Sequence, residues 1–124
     1  MEKFFLISAG AVLGANLRYW VGDWAIKRFG TAFPMGTFII NISGSFLLGL
    51  FLSLAMDRLA LDPRWKLLLG VGFLGAYTTF STYTYESLAL FQQGKIGLGL
   101  VNLLGSSLLG ALAVGMGVLV GRGW

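Results

Sequence analysis

Gly72-Phe73-Leu74-Gly75-Ala76-Tyr77-Thr78-Thr79-Phe80-Ser81-Thr82-Tyr83-Thr84 occupies the middle of an apolar run from Trp65 to Phe91. A run of that length crosses a hydrocarbon core of about 30 Å, which takes about 20 helical residues. Yet glycine followed by a β-branched pair makes a poor helix centre. Two conformations fit the stretch. In one, the helix breaks between Gly75 and Thr79. The freed carbonyls then need protein donors or a bound cation, because lipid supplies no partner. In the other, the helix is continuous and its hydroxyls bond back to the preceding turn.

Three more apolar runs flank this one: Phe4 to Trp24, Pro34 to Met56 and Ile96 to Val120. Short polar connections separate them, at Lys27–Thr31, Asp57–Arg64 and Gln92–Lys95. The pattern predicts an all-α membrane protein of four transmembrane helices, with residues 1–124 forming a single domain. Strands of alternating polarity are absent, so a β-barrel is not expected. The composition agrees: 56% of the 124 residues are hydrophobic and only 11% are charged, against about 25% charged in a soluble domain. Mean hydropathy is +0.80. The first run merges into a longer apolar stretch without a small-residue cleavage site, so no secretory signal is expected. With neither cysteine nor histidine, the chain has no disulfide framework and no usual zinc or haem ligand set.

The formal charge of +4 comes from nine Lys and Arg, most of them at the ends of the apolar runs. That placement suggests anchoring at the membrane surface rather than a nucleic-acid patch. An even number of spans puts both termini on the side of the second loop. This side carries Lys3, Arg58, Arg64, Lys66 and Arg122, and the other carries Lys27, Arg28 and Lys95. So slight a bias permits insertion in either orientation, or a single orientation set weakly by Arg58 to Lys66. Four helices are few for enclosing a pore, so an oligomer is expected, and a dimer is the simplest closed one. Glycines at small-xxx-small spacing suit close helix packing, mostly within the subunit: Gly10 and Gly14, Ser45 and Gly49, Ala111 and Gly115, Gly117 and Gly121.

Polar residues within the spans are the candidate functional groups. Arg18 is the one clear charge inside a span, at a cost of roughly 2.5–3.5 kcal/mol at the bilayer centre. It reads equally as an interfacial anchor beside Tyr19 and Trp20 or as a positive group lining an anion vestibule. The Asn41 amide has two donors, either for a small anion or for an interhelical hydrogen bond. Phe80 and Tyr83 share a helix face; they either pack or turn their positive ring edges to an anion. Asn102 and Ser106, with Ser107, form a possible polar track. Glu86 sits at a pore mouth or pairs with a loop cation. An intramembrane arginine and many neutral donors, without a ladder of buried carboxylates, favour an anion over a cation. No residue set supports catalysis, so an enzyme is not expected. Two rivals are a proton-coupled multidrug exporter, which needs an intramembrane carboxylate, and a non-transporting membrane scaffold.

The stretch from Gly72 to Tyr83, with Gly14-Ala15-Asn16-Leu17-Arg18-Tyr19, Gly36-Thr37-Phe38-Ile39-Ile40-Asn41-Ile42-Ser43-Gly44-Ser45-Phe46 and the Asn102–Ser106 element, resembles the CrcB/Fluc fluoride channel family from end to end. The resemblance implies an antiparallel, dual-topology homodimer with two pores that passively exports fluoride and lowers its toxicity. It implies a location in the cell membrane, the inner one if the host is Gram-negative, in contact with lipid. It also implies a broken third helix and a structural sodium ion at the dimer interface, held by the backbone carbonyls of Gly75 and Thr78. Asn41, Phe80, Ser106 and Arg18 map to family pore positions, and Glu86 matches an acid often present there. Tyr83 stands where the family usually has a second phenylalanine, and Ala76 where it usually has glycine.

Overall fold

The computed structural model describes residues 1–123, and among these there is no strand. Among the described residues, three helices are long and apolar enough to cross a membrane: α1 (Glu2–Phe29), α2 (Met35–Arg58) and α5 (Ile96–Arg122). Between α2 and α5 lie two shorter pieces, α3 (residues 63–77) and α4 (Phe80–Gln92), separated by Thr78 and Thr79. The first and last helices run past the expected spans into the polar flanks. At the end of α1, Lys27 pairs with Asp23 one turn back at 2.7 Å and the Arg28 guanidinium lies over the Phe29 ring, so the helix stops only at Gly30, where φ is +78°. Asp62 starts α3 by accepting the Arg64 amide, with Pro63 in the first helical position.

α1 packs along α3, and α2 packs along α5. α2 also touches α1, α3 and α4 and is the hub of the bundle. Lipid is as apolar as leucine, so burying aliphatic surface does little to hold such helices together; close backbone packing takes its place. Gly10 and Gly14 show this on α1. A Cβ there would overlap the Leu68 and Phe73 carbonyls of α3. Gly117 does the same for α5, where a side chain would strike the Phe46 carbonyl of α2. Gly115 meets nothing within 4 Å, so its part of the small-residue pattern is not used inside the subunit. The outer faces are correspondingly greasy: Val12, Leu13 and Trp20 on α1 and Leu108, Leu112 and Met116 on α5 are all exposed. With these apolar helices, the chain is a multi-pass membrane protein.

Three stretches of the bundle depart from ordinary α-geometry in ways that bear on the site. Residues Lys66–Leu74 and Val101–Gly105 are wound more widely, in π-type turns, which shift carbonyls off the regular ladder. Between α3 and α4 the backbone is extended, with φ −79° and ψ 158° at Thr78 and φ −149° and ψ 121° at Thr79. Gly75 itself is helical, with φ −62°, so the extended residues lie at the far end of the Gly75–Thr79 window.

Candidate functional site

What ends α3 and starts α4 is a side chain from α2. The Asn41 Nδ2 group donates to the Thr79 carbonyl at 2.8 Å, and the Thr79 amide donates to Asn41 Oδ1, also at 2.8 Å. Only one orientation of the amide satisfies both bonds. Asn41 thereby pairs with Thr79 as a neighbouring strand would. Local groups complete the junction. Thr78 returns both its amide and its hydroxyl to the Leu74 carbonyl, at 3.1 and 3.0 Å. Thr79 Oγ1 accepts the Thr82 amide at 3.3 Å and so caps α4. Gly44 of α2 lies so close that a Cβ would overlap the Thr78 methyl group.

Two clefts open beside this junction, and Thr79 lines both. The first, about 400 Å³, collects Asn41, Phe80, Tyr83 and Ser106, together with Ser45, Thr78 and Ser107. Arg18, also expected at a pore, lies elsewhere. It lines the second cleft, of about 580 Å³, with Thr37, Thr82 and Glu86. Glu86 is partnered there by the Thr37 hydroxyl at 3.0 Å, not by a loop cation. Its other oxygen is buried and accepts no hydrogen bond among the described residues. Thr37 and Thr82 were missed on sequence grounds, because an isolated threonine on a helix ordinarily satisfies itself.

Inside the first cleft the residues differ sharply in exposure. The Phe80 ring is 76% exposed, whereas Tyr83 is 7% exposed; their centroids lie 5.8 Å apart at an interplanar angle of 49°. Asn41 has spent one donor on Thr79, and its second amide hydrogen remains for the cleft. The Tyr83 hydroxyl donates to the Leu103 carbonyl of α5 and lies 2.7 Å from Ser107 Oγ. Asn102 does not face the cleft. It is 1% exposed, donates to Ser87 Oγ at 2.8 Å and accepts from Ser106 at 3.2 Å. Ser87 in turn donates to the Tyr83 carbonyl at 2.8 Å. The chain from Ser106 through Asn102 and Ser87 to Tyr83 ties α5 to α4 without exposing a charge.

A cation site at the junction can be tested on the carbonyls themselves. In a continuous helix the Thr79 amide would serve the Gly75 carbonyl and the Thr82 amide the Thr78 carbonyl. Here the first goes to Asn41 and the second to Thr79 Oγ1. Both carbonyls are thus released at the C-terminal end of a half-helix, where the dipole favours positive charge. Among the described residues no group of His, Cys, Asp or Glu is placed to hold a metal. Neutral oxygens alone suit a hard monovalent ion such as sodium. Two carbonyls fall short of the about six oxygens a hard cation takes, so one subunit would supply only part of the shell.

Apolar crossings around an interrupted helix, with uncharged donors gathered beside the interruption, define a membrane protein of the channel or transporter class. Comparison with known proteins narrows the class. The family described as CrcB-like protein, Camphor Resistance (CrcB), matches residues 5–118, and the chain belongs to it. A protein of Synechococcus sp. (strain JA-2-3B'a(2-13)) named fluoride-specific ion channel FluC is 48% identical over 120 residues, covering 97% of this chain and 92% of that protein. The protein of the same name from Koribacter versatilis is also 48% identical, over 97% of this chain and 96% of its own. That of Chloroflexus aurantiacus is 47% identical over 98% and 97%.

Proposed function

We propose that the chain is a subunit of a fluoride-specific ion channel of the cell membrane, and not an enzyme. It lets fluoride leave the cell passively and so lowers fluoride toxicity; in a Gram-negative host the membrane is the inner one. The observation that carries this reading is the gathering of Asn41, Phe80, Tyr83 and Ser106 in one cleft, with Thr79 lining both it and a second, charged cleft. The names of the relatives support it.

Fluoride is small and strongly hydrated, so a narrow passage must replace its water with donors. The free amide hydrogen of Asn41, nearby hydroxyls and the edges of Phe80 and Tyr83 offer weak, successive contacts that let an ion enter and leave. Arg18 attracts the anion at the mouth of the second cleft. Two copies inserted in opposite orientations form the working unit, with one pore on each side of the pair. The Gly75 and Thr78 carbonyls of both copies hold a sodium ion between them; it is not transported, and it supplies positive potential and ties the two junctions together.

Fluoride efflux from liposomes, read with an ion-selective electrode, tests the proposal. The purified chain should pass fluoride quickly and chloride negligibly. A silent trace for both ions would leave a membrane scaffold as the better account.

A further inference from the structure

Tyr77 is the last helical residue of α3 and lies between Gly75 and Thr78, whose carbonyls the junction releases. A terminal turn that gives up ladder bonds frays unless side chains hold it. Asn41 holds Thr79, beyond the turn; Tyr77 holds the turn itself. Its side chain is buried, packs with Ile40 and Leu74 and stacks on Phe73 one turn back, with ring centroids 6.3 Å apart. Gly44 of α2 admits the ring, because a Cβ there would lie 3.2 Å from Tyr77 Cδ1. The hydroxyl then reaches Ser43, 2.9 Å from Oγ. Ser43 gives its one hydrogen to the Ile40 carbonyl at 3.2 Å, so Tyr77 is the donor. Phenylalanine would fill the same apolar space, and the hydroxyl bond is what packing does not require. Three successive residues, Tyr77, Thr78 and Thr79, thus meet one turn of α2 at Ser43, Gly44 and Asn41.

We propose that Tyr77 is a positioning residue for the cation site: its hydroxyl bond to Ser43 holds the last turn of α3, so that the Gly75 and Thr78 carbonyls are set for sodium before the ion arrives. This rests on the sodium reading above. Tyr77 touches no ion; it acts through the backbone on either side of it. The gain is preorganisation, since a turn already ordered costs the ion nothing to order. Without the hydroxyl bond, sodium binding has to restore the turn, and the affinity falls by the fraction of time the turn is in place.

Equilibrium dialysis of the purified assembly in detergent against radiolabelled sodium, with choline holding the ionic strength, tests the assignment. Wild type should bind one ion per pair of chains. Tyr77→Phe should bind about tenfold more weakly, as expected for a turn in place about a tenth of the time. Ser43→Ala, which removes the acceptor, should match it, and the double variant should bind no more weakly than either single one. Gly121→Ala strikes Ser53 of α2, away from the junction; it should lower the melting temperature yet bind sodium as wild type does. A Tyr77→Phe protein that binds sodium as tightly as wild type overturns the proposal whatever its melting temperature, since the hydroxyl would then serve packing alone. An equal loss of sodium in Gly121→Ala overturns it too, because the effect would then be general loosening. A wild type that takes up no sodium removes the sodium reading itself, and with it the ion Tyr77 is assigned to position.

Discussion

Asn41 and Thr79, 38 positions apart, exchange two hydrogen bonds of 2.8 Å each, and this exchange separates α3 from α4. A break in a helix within lipid leaves backbone groups that must find partners. Asn41 supplies a donor and an acceptor at the spacing a strand would offer. It is therefore a structural bridge first, with one amide hydrogen left over.

Asn41→Ala should consequently do more than remove a donor from the proposed pore. Both the amide and the carbonyl of Thr79, a buried residue, would lose their partner. A loss of about 2 kcal/mol in stability is expected from the two bonds together, with fluoride efflux reduced at least about tenfold. Thermal unfolding in detergent and liposome flux, measured on the same preparation, check this. Unchanged stability would mean that the junction is held by Thr78 and Thr79 alone.

Phe80 predicts the opposite combination. Its ring is largely exposed and contributes little to packing within the subunit. Phe80→Ile should leave thermal stability within about 0.5 kcal/mol while lowering fluoride efflux, since the aliphatic side chain has no positive edge to offer. A variant that melts early would show that the ring is packing material instead.

The glycines give a third contrast. Gly117→Ala places a methyl group against the Phe46 carbonyl of α2, and neither backbone can withdraw cheaply. A destabilisation of about 1–3 kcal/mol is expected, as for other overpacked interiors. Gly115→Ala enters open space and should melt with the wild type. Unfolding curves of the two variants, recorded side by side, decide whether α2 and α5 pack as described.

Much of this was legible in residue order, for physical reasons that can be named. The four apolar runs announce themselves by length, since the bilayer sets a minimum. The overrun of α1 follows from Asp23 and Lys27 at i, i+4 spacing, a signal present in the sequence and outweighed there by the run of polar residues. The Gly72–Thr84 stretch advertised an anomaly, but not that its extended residues would be Thr78 and Thr79. That choice is made by Asn41, whose partner lies on another helix and leaves no local trace. The same limit hid the fate of Asn102. Its spacing from Ser106 is helical, yet the direction in which the pair faces depends on Ser87 of α4. The partner of Tyr83 was unreadable because it is a backbone carbonyl on another helix, and a backbone group leaves no mark in residue identity.

The released carbonyls of Gly75 and Thr78 lead to a prediction about sodium. If two copies of this chain hold the ion between them, sodium binds only the folded assembly, and stability must rise with its concentration by mass action. Dialysis into a choline buffer should lower the melting temperature, and titrating sodium back should raise it along a saturating curve. At a sodium concentration a hundredfold above its dissociation constant the gain is about 2.7 kcal/mol. Choline at equal ionic strength is the control for general salt effects, which act on exposed pairs such as Arg64 with Glu2 and Arg122 with Asp57 and are small. The side chains of Gly75 and Thr78 contribute nothing to such a site, so Thr78→Ser should retain the sodium response. Asn41→Ala should weaken it, because the Thr79 amide that Asn41 now holds would be released to compete for the Gly75 carbonyl. A melting temperature indifferent to sodium in both proteins would leave the two carbonyls without the ligand proposed for them.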